Sequence, residues 1–578
     1  MSAPTLPARP IAARPFKLAL DGTAARLRAL APWLLIAAVA LASRLRYGVF
    51  GFHETFGSGD AHLILAKAWF ISHGQFEPPA ALGPSSEVFI DPPLIALTFA
   101  ALSKIGLPID VAPLIVTPAI SIAGLLALYA IARRAFDAQI ALPGVLLVAL
   151  LPRFALDSTE PDKVAYVVSL FLIALMLLYV AHASSGRARA RALAFCGAGV
   201  FMGLSLFAHN TAWLFVPVFV LAHPALARFR IRALLDRWVV ASLVIPLLFF
   251  AAFVAIESSF QTERYVPVVA TAAAPASSET PPVAFPAPEK ERRIVPAQFE
   301  TYWNTLSGLA RDGFQDSAWN QYFDAIRAQV SSPTYVLAIA GFAIGCWYVV
   351  VRRRYELIPL LAWMAVVTLG FAIQHPAASH RTRYPSYVTP AFALFATAAV
   401  VWLARAVAMR APAENRASWA MIIALPLLVF VAASYVMHEG DGLRRLYAPH
   451  REAAEYLTSN DLLSDDSQVL YIGWPSITYY VLDDEPEAEP WLHAFGWGRV
   501  DLRLFTPAYL QANHVRYFVH DPRGADYFNS SGQMLTKLER NYDLREVARL
   551  CGEDGKATCD SVYITIYEII PKQPQGAG

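Results

Sequence analysis

Side chains able to do acid–base chemistry or to bind phosphate gather in a few short polar segments of this chain. The most crowded segment, RFALDSTEPDKVAY, places three carboxylates and two basic groups within eleven residues: Arg153, Asp157, Glu160, Asp162 and Lys163. Carboxylates act as general bases and also hold divalent cations. The planar fork of arginine matches a phosphate group in particular. Both chemistries are therefore expected near this segment.

A segment nearer the N-terminus offers further carboxylates. GFHETFGSGDAHLILAKAWFISHG contains Glu54 and Asp60, and Asp60 comes directly before a helix predicted at 61–73. An aspartate there satisfies the free backbone donors of a helix, so a capping role and a catalytic role are both open. Farther on, Asp91 precedes two prolines, which force an extended start to the next helix.

The elements that position these side chains are membrane spans. Of the 578 residues, 56% are hydrophobic and only 16% are charged, whereas a soluble protein carries about a quarter charged residues. Apolar blocks of roughly 17–22 residues are long enough to cross a hydrocarbon core. Eleven spans are predicted, at about 31–50, 111–132, 139–153, 164–183, 192–207, 212–226, 238–256, 334–351, 357–373, 387–404 and 418–437. The apolar segment 92–107 is short and is predicted to be a helix that lies at the outer membrane surface or enters the bilayer only in part.

Arginines predict how these spans are oriented. They fill the N-terminal tail and alternate loops, at 133–134, 187–191, 228–237, 352–354 and 405–416. Because basic loops favour the cytoplasm, the N-terminus is predicted to be cytoplasmic, and eleven crossings place the C-terminal region outside. The predicted location is a bacterial-type inner membrane, crossed many times.

The fold class predicted is a polytopic α-helical membrane protein with a small extracytoplasmic α/β domain. The predicted parts are a basic cytoplasmic tail (1–30), a transmembrane domain (31–437) with large outer loops (51–110 and 257–333), and a soluble domain (438–578). A helix-like segment at 451–457 and strand-like segments at 468–473, 515–520 and 562–570 predict the α/β architecture of the soluble domain.

Six basic residues break the orientation rule. They lie near the bilayer on the predicted outer side: Arg44, Arg46, Arg153, Lys163, Arg381 and Arg383. Ionisable groups at membrane depth are costly and usually face a polar cavity or a partner. Each could also extend to lipid headgroups. Their gathering beside the acidic segments favours a phosphate-binding site at the outer surface.

Two of the four cysteines predict a disulfide. Cys551 and Cys559 flank a short polar turn in the soluble domain, and a disulfide there requires an oxidising compartment. Two free thiols are the alternative. Cys196 and Cys346 lie in apolar spans and are predicted to be packing residues.

The ordered set of these features resembles the GT-C superfamily of membrane glycosyltransferases that use polyprenyl-phosphate-linked sugars. An acidic residue after the first span, a following helix, a PPL segment and a polar outer loop with arginine and carboxylates occur in the same order in that superfamily. So does a late R-Y-x-x-Y-x-x-P pattern, here Arg383, Tyr384, Tyr387 and Pro390. The resemblance covers roughly residues 40–405.

The resemblance implies an inverting transfer of a sugar on the outer face of the membrane. Asp60 would be the general base, and the catalytic carboxylates assigned on this basis are Asp60, Asp91 and Glu54. The residues expected to bind the donor phosphate are Arg381, Arg383, Arg153, Lys163 and Tyr384. No cofactor is required, although a divalent metal (Mg or Mn) held by Asp60 with Asp157, Glu160 or Asp162 is left open.

Two branches of the superfamily compete, and a transporter is the alternative from another class. Protein O-mannosyltransferases and aminoarabinose transferases typically have an acidic pair after the first span, where this chain has Asp60–Ala61. They also have a basic residue before the PPL segment, where this chain has Asp91. The oligosaccharyltransferase motif W-W-D-Y-G is absent, and YIGWPSITYY is no substitute. Transfer of a single sugar is therefore favoured over en bloc oligosaccharide transfer to protein. The expected partners are membrane lipid, the lipid-linked donor and a glycan, lipid or protein acceptor, with no nucleic acid.

Overall fold

The computed structural model describes most of the chain. The described residues are 23–48, 59–74, 93–184, 187–259, 263–264, 289–290, 316–374, 384–409, 412, 415–436, 448–473, 476–485, 487, 492–495, 506–522, 530–551 and 563–572. Five of the residues singled out above lie outside them: Glu54, Asp91, Arg381, Arg383 and Cys559. For Asp60 the structure describes the backbone and not the side chain.

Long apolar helices make up the first three quarters of the chain. The first half contains α1 (Thr23–Gly48), α2 (Gly59–Ser72), α3 (Leu94–Lys104), α4 (Ala112–Ala135), α5 (Ala138–Leu150), α6 (Pro152–Asp157), α7 (Lys163–Ala183), α8 (Ala188–Ala208), α9 (Val216–Leu226), α10 (Ile231–Leu234) and α11 (Arg237–Ser259). Further along lie α12 (Asp316–Val330), α13 (Ser332–Arg352), α14 (Ile358–Ala362), α15 (Thr368–Gln374), α16 (Thr389–Ala408) and α17 (Arg416–Val436). A 3₁₀ segment (Asn210–Phe215) precedes α9, a π-helical turn (Trp363–Val367) joins α14 to α15, and a 3₁₀ turn (Tyr384–Tyr387) precedes α16.

The helices account for all eleven predicted spans. Eight described helices are long and apolar enough to cross a membrane. The other three predicted spans coincide with the shorter apolar helices Ala138–Leu150, Asn210–Leu226 and Ser418–Ala433. The prediction of a polytopic helical protein is therefore confirmed, and the chain is a multi-pass membrane protein. The short segment predicted at 92–107 forms α3.

The centre of the bundle is built by close helix packing around α16. Most of α16 is buried, whereas α11 and α17 leave side chains such as Leu248 and Phe430 exposed, as expected of a lipid-facing surface. Gly341 allows α13 to cross α16 closely, because a Cβ there would lie 2.0 Å from the Phe395 carbonyl oxygen.

The C-terminal region forms the predicted α/β domain. Its helices are α18 (Ala448–Ser459), α19 (Ser476–Asp484), α20 (Pro507–Ala512) and α21 (Ser530–Asn541). Two short strands of the loop after α11, β1 (Glu263–Arg264) and β2 (Glu289–Lys290), pair with each other. The domain's sheet contains β3 (Gln468–Ile472), β4 (Leu492–Phe495), β5 (Val515–His520), β6 (Tyr542–Leu550) and β7 (Ile564–Pro571), in the order β4-β3-β5-β7-β6. The first three strands are parallel, and β7 is antiparallel to β5 and β6.

Candidate active site

The acidic segment singled out in the sequence lies buried in the fold. Pro152 opens the six-residue helix α6 directly after α5, and Asp162 ends the segment by capping α7. The Asp162 carboxylate accepts the Val164 backbone N–H at 3.1 Å, which satisfies one of the free donors of that helix. Asp157, Glu160 and Asp162 are all buried. Burial of three carboxylates is costly unless they are paired or protonated.

An ion pair lies on α6 at the start of this segment. Arg153 Nε is 2.9 Å from Asp157 Oδ1, and the two side chains are 13% and 0% exposed. Burial raises the pKa of Asp157 to about 7; Arg153 and the nearby Ser386 hydroxyl oppose this shift, and Asp162 adds to it. This carboxyl group is therefore poised to exchange a proton near neutral pH.

The 3₁₀ turn Tyr384–Tyr387, which directly precedes α16, lies next to the acidic segment. The turn packs against α6, more than 200 positions away in the sequence, and brings the Ser386 side chain close enough to Asp157 to lower its pKa. Phe371 stacks on Tyr384 with ring centroids 5.0 Å apart, and it lies at the same distance from Tyr387. The turn directly follows the predicted phosphate ligands Arg381 and Arg383, which themselves lie outside the described residues.

Buried donors hold this turn in place. Trp363 Nε1–H donates to the Tyr387 carbonyl at 3.0 Å, and the Thr211 hydroxyl donates to the Tyr387 hydroxyl oxygen at 3.0 Å. His209 Nδ1 in turn accepts the Thr211 backbone N–H at 3.0 Å. Trp363 opens the π-helical turn, a local irregularity that is frequent at functional sites. Sequence reasoning did not single out His209, Thr211 or Trp363, although the polar run at 209–211 between two apolar segments is a signal that could have identified two of them.

Helix α2, which contains the predicted base, is packed against α19 of the C-terminal α/β region. Asp60 lies in the first turn of α2. Two residues later, His62 is fully buried and shares a hydrogen bond with the Tyr480 hydroxyl of α19, 3.1 Å away. The Arg451 guanidinium lies over the Tyr480 ring, 5.8 Å from its centroid. The C-terminal α/β region therefore contacts the helical bundle next to the start of α2.

Two further predictions concern metal and disulfide bonds. The described residues contain no group of three or more histidine, cysteine or carboxylate side chains able to hold a metal ion. Asp157 pairs with Arg153, and Asp162 caps α7 through one of its carboxylate oxygens. A site that includes Asp60 stays a prediction.

Cys551 is disulfide-bonded, and Cys196 and Cys346 are free. Its pairing with Cys559 stays a prediction.

The fold has solved relatives. The oligosaccharyltransferase AglB of Archaeoglobus fulgidus, in complex with an inhibitory peptide and a dolichol-phosphate, matches with a TM-score of 0.53 and 13% identity, over 96% of this chain and 75% of that chain. The same enzyme tethered to an acceptor peptide matches with a TM-score of 0.52 and 12% identity, over 95% and 74%. AglB belongs to the GT-C superfamily of polyprenyl-phosphate-dependent membrane glycosyltransferases.

This chain has the GT-C fold. The resemblance stated from the sequence is therefore confirmed at the level of the fold. ArnT of Cupriavidus metallidurans matches with a TM-score of 0.49 and 14% identity, over 94% of this chain and 98% of that chain. No protein-family model matches the sequence, and no curated protein matches it significantly.

Proposed function

We propose that the protein is an inverting glycosyltransferase that moves a sugar from a polyprenyl-phosphate donor to an acceptor at the outer face of the membrane. The observation that carries the proposal is the packing of α6 against the turn Tyr384–Tyr387, which places the Ser386 side chain near Asp157. It brings the segment that follows the late arginines to the buried acidic segment, within a GT-C fold. The outer location rests on the arginine pattern of the loops.

The proposed reaction needs a base and a site for the leaving group. Asp60 removes the proton of the acceptor hydroxyl as its oxygen attacks the anomeric carbon. The bond from that carbon to the phosphate oxygen breaks, and polyprenyl phosphate leaves with the electron pair. Arg381 and Arg383, supported by Arg153 and Lys163, stabilise the charge that develops on the phosphate. AglB has been solved with a dolichol-phosphate, which supports a lipid-phosphate donor here.

Asp91, Glu54 and Tyr384 complete the proposed site. The two carboxylates come from the same outer loop as Asp60 and would orient the acceptor hydroxyl. Tyr384 is stacked on Phe371 at the end of the turn that follows the arginines, where its ring would line the donor site. No step of the proposed reaction requires a metal ion. A loss of activity when a chelator is added would indicate that a metal ion takes part.

The direct test compares Asp60, in the first turn of α2, with an aspartate that caps another helix. Asp60→Asn should lower transfer from a polyprenyl-phosphate-linked hexose by about 10²–10⁴-fold, the usual contribution of a general base. Asp137→Asn is the matched control, because Asp137 caps α5 by accepting the Gln139 and Ile140 backbone N–H groups. Asparagine caps helices as well as aspartate, so Asp137→Asn should keep its cap while it loses the charge that pairs with Arg405, and Asp60→Asn changes only one side-chain atom. Equal activity in the two variants would reject Asp60 as the base.

Oligosaccharyltransferase-like transfer to protein is the second candidate. The alignment with AglB covers 96% of this chain, so it includes the soluble domain. A peptide acceptor offered with a lipid-linked oligosaccharide distinguishes the two: glycopeptide would favour en bloc transfer, and a product carrying one sugar would favour the first proposal. Movement of the lipid-linked sugar across a vesicle membrane without any transfer would favour a transporter.

A further inference from the structure

Arg44 is an almost fully buried arginine that joins several helices of the bundle. It lies near the end of α1 and is 1% exposed, so it reaches neither the lipid headgroups nor a ligand at the surface. Its guanidinium donates to the Ala149 carbonyl at 2.8 Å, to the Ser121 hydroxyl at 2.9 Å and to the Ser158 hydroxyl at 3.4 Å. These acceptors are neutral, although arginine is rarely buried without a carboxylate.

The three acceptors belong to the elements that surround α6. Ala149 lies in the last turn of α5, where free carbonyls and the negative end of the helix dipole favour a cation. Ser121 belongs to α4 and donates to Ser158 at 2.9 Å. Ser158 follows Asp157 directly, and its hydroxyl donates to the Phe154 carbonyl. The guanidinium also lies 5.7 Å from the centroid of the Phe154 ring. One side chain therefore ties α1, α4 and α5 to both ends of α6.

We propose that Arg44 is a positioning residue that holds α6 so that Asp157 stays buried against Arg153. It acts from behind the helix, since its contacts are to Phe154 and Ser158 and not to the Asp157 carboxylate. The turn Tyr384–Tyr387 also packs against α6 and places Ser386 near Asp157. A guanidinium suits this task because its planar fork serves several acceptors at fixed angles, which a lysine ammonium cannot do. The importance of this arrangement for sugar transfer rests on the proposed function.

The proposal predicts an effect on Asp157 that general destabilisation would not produce. The charged or polar groups that face Asp157 are Arg153 on α6, Glu160 and Asp162 on the segment before α7, and Ser386 on the turn. If α6 loosens, water reaches the carboxyl group and its pKa falls toward the ordinary value of about 4. Loss of hydrogen bonds to a charged group, each worth about 1.5–3 kcal/mol, would also speed amide exchange of residues 152–160 by at least about tenfold.

The experiment compares Arg44→Met with a matched arginine at the opposite end of α4. Arg354 donates to the Ala135 and Phe136 carbonyls at 3.1 and 3.5 Å, so Arg354→Met removes a similar contact far from α6. Two quantities are measured for the full-length protein in detergent. One is the rate of hydrogen–deuterium exchange. The other is the pH midpoint, the pH at which the pH-dependent change in the free energy of unfolding is half complete. In Arg44→Met, exchange at 152–160 should rise and the midpoint should fall, with Arg44→Lys intermediate. In Arg354→Met, both should match the wild type.

Two results would overturn the proposal. The first is that Arg44→Met shows the exchange rate and the pH midpoint of the wild type. The second is that Arg354→Met also shows faster exchange at 152–160 and a lower pH midpoint, which would indicate loosening of the whole bundle. If Arg44→Met does not fold, the double variant Ser121→Ala/Ser158→Ala removes two of the three acceptors and should give the same changes in weaker form. Neither readout depends on activity, so a protein that transfers no sugar would refute the proposed function and leave this test intact.

Discussion

Replacing Asp157 with asparagine should remove a pH dependence of stability that the wild-type protein shows between about pH 4 and pH 7. Burial raises the pKa of Asp157 to about 7 in the folded protein, whereas an aspartate in an unfolded chain ionises near pH 3.9. Below about pH 4 the carboxyl group is neutral in both states. Between the two values the unfolded chain has lost its proton and the folded protein retains it. The unfolded state then binds fewer protons, so stability falls as pH rises.

The size of this effect follows from the distance between the two pKa values. A difference of about three units corresponds to about 4 kcal/mol lost by pH 8, at 1.36 kcal/mol per unit. Asparagine has no charge to bury, so Asp157→Asn should keep a nearly constant stability across this range and should equal or exceed the wild type at pH 8.

The assay is denaturant unfolding of the detergent-solubilised protein, followed by tryptophan fluorescence from pH 4.5 to 8.5. Asp543→Asn is the control, because Asp543 is exposed on β6 and its replacement should leave the pH curve of the wild type unchanged. Parallel pH curves for wild type and Asp157→Asn would refute the reasoning, since they would mean that Asp157 ionises alike in the folded and unfolded states.

Three further predictions test the contacts around this site. Trp363→Phe leaves the buried Tyr387 carbonyl without its donor, which should cost about 1–3 kcal/mol of stability and raise KM for the lipid donor; an unchanged KM would separate this turn from donor binding. Tyr480→Phe keeps the ring and removes the hydrogen bond to His62, so the stability of the contact should fall by about 0.5–1.5 kcal/mol, measured by protease cleavage between the domains. A Tyr480→Phe/His62→Ala double variant no weaker than His62→Ala alone would confirm that the two act together. Cys559→Ser should leave one extra thiol open to alkylation, at Cys551, detected by mass spectrometry of the denatured protein; no new reactive thiol would exclude the Cys551–Cys559 pairing.

The architecture could be predicted from the sequence because it depends on long patterns. Runs of apolar residues must be buried in lipid or in the bundle, and this fixes the helices α4, α7 and α16 to within a few residues. The strands β3, β5 and β7 coincide with apolar β-branched segments of the tail. Strands β4 and β6 were not predicted. The exposed β6 alternates polar and apolar side chains, which gives a weaker signal.

The candidate site could be predicted only in part, because its contacts join distant segments. The composition of 153–163 identified Arg153 and Asp157 as chemical groups, but their burial depends on helices far away in sequence. Trp363 and Ser386 carry no local pattern at all. They matter because the fold places them at the turn before α16.

The position of Arg44 explains how a charged group can break the orientation rule without meeting lipid or ligand. The sequence predicts one shared role, phosphate binding, for the basic residues on the outer side. The fold gives two of them different surroundings. Arg44 lies among neutral acceptors behind α6, and Arg153 lies on α6 itself, paired with Asp157. A preorganised electrostatic site needs both kinds of residue, since the groups that act on a substrate must be held by others. Variants of the two arginines should therefore have different effects. Loss of Arg44 should alter the pH dependence of stability through Asp157. Loss of Arg153 should do the same and should also weaken binding of the donor phosphate.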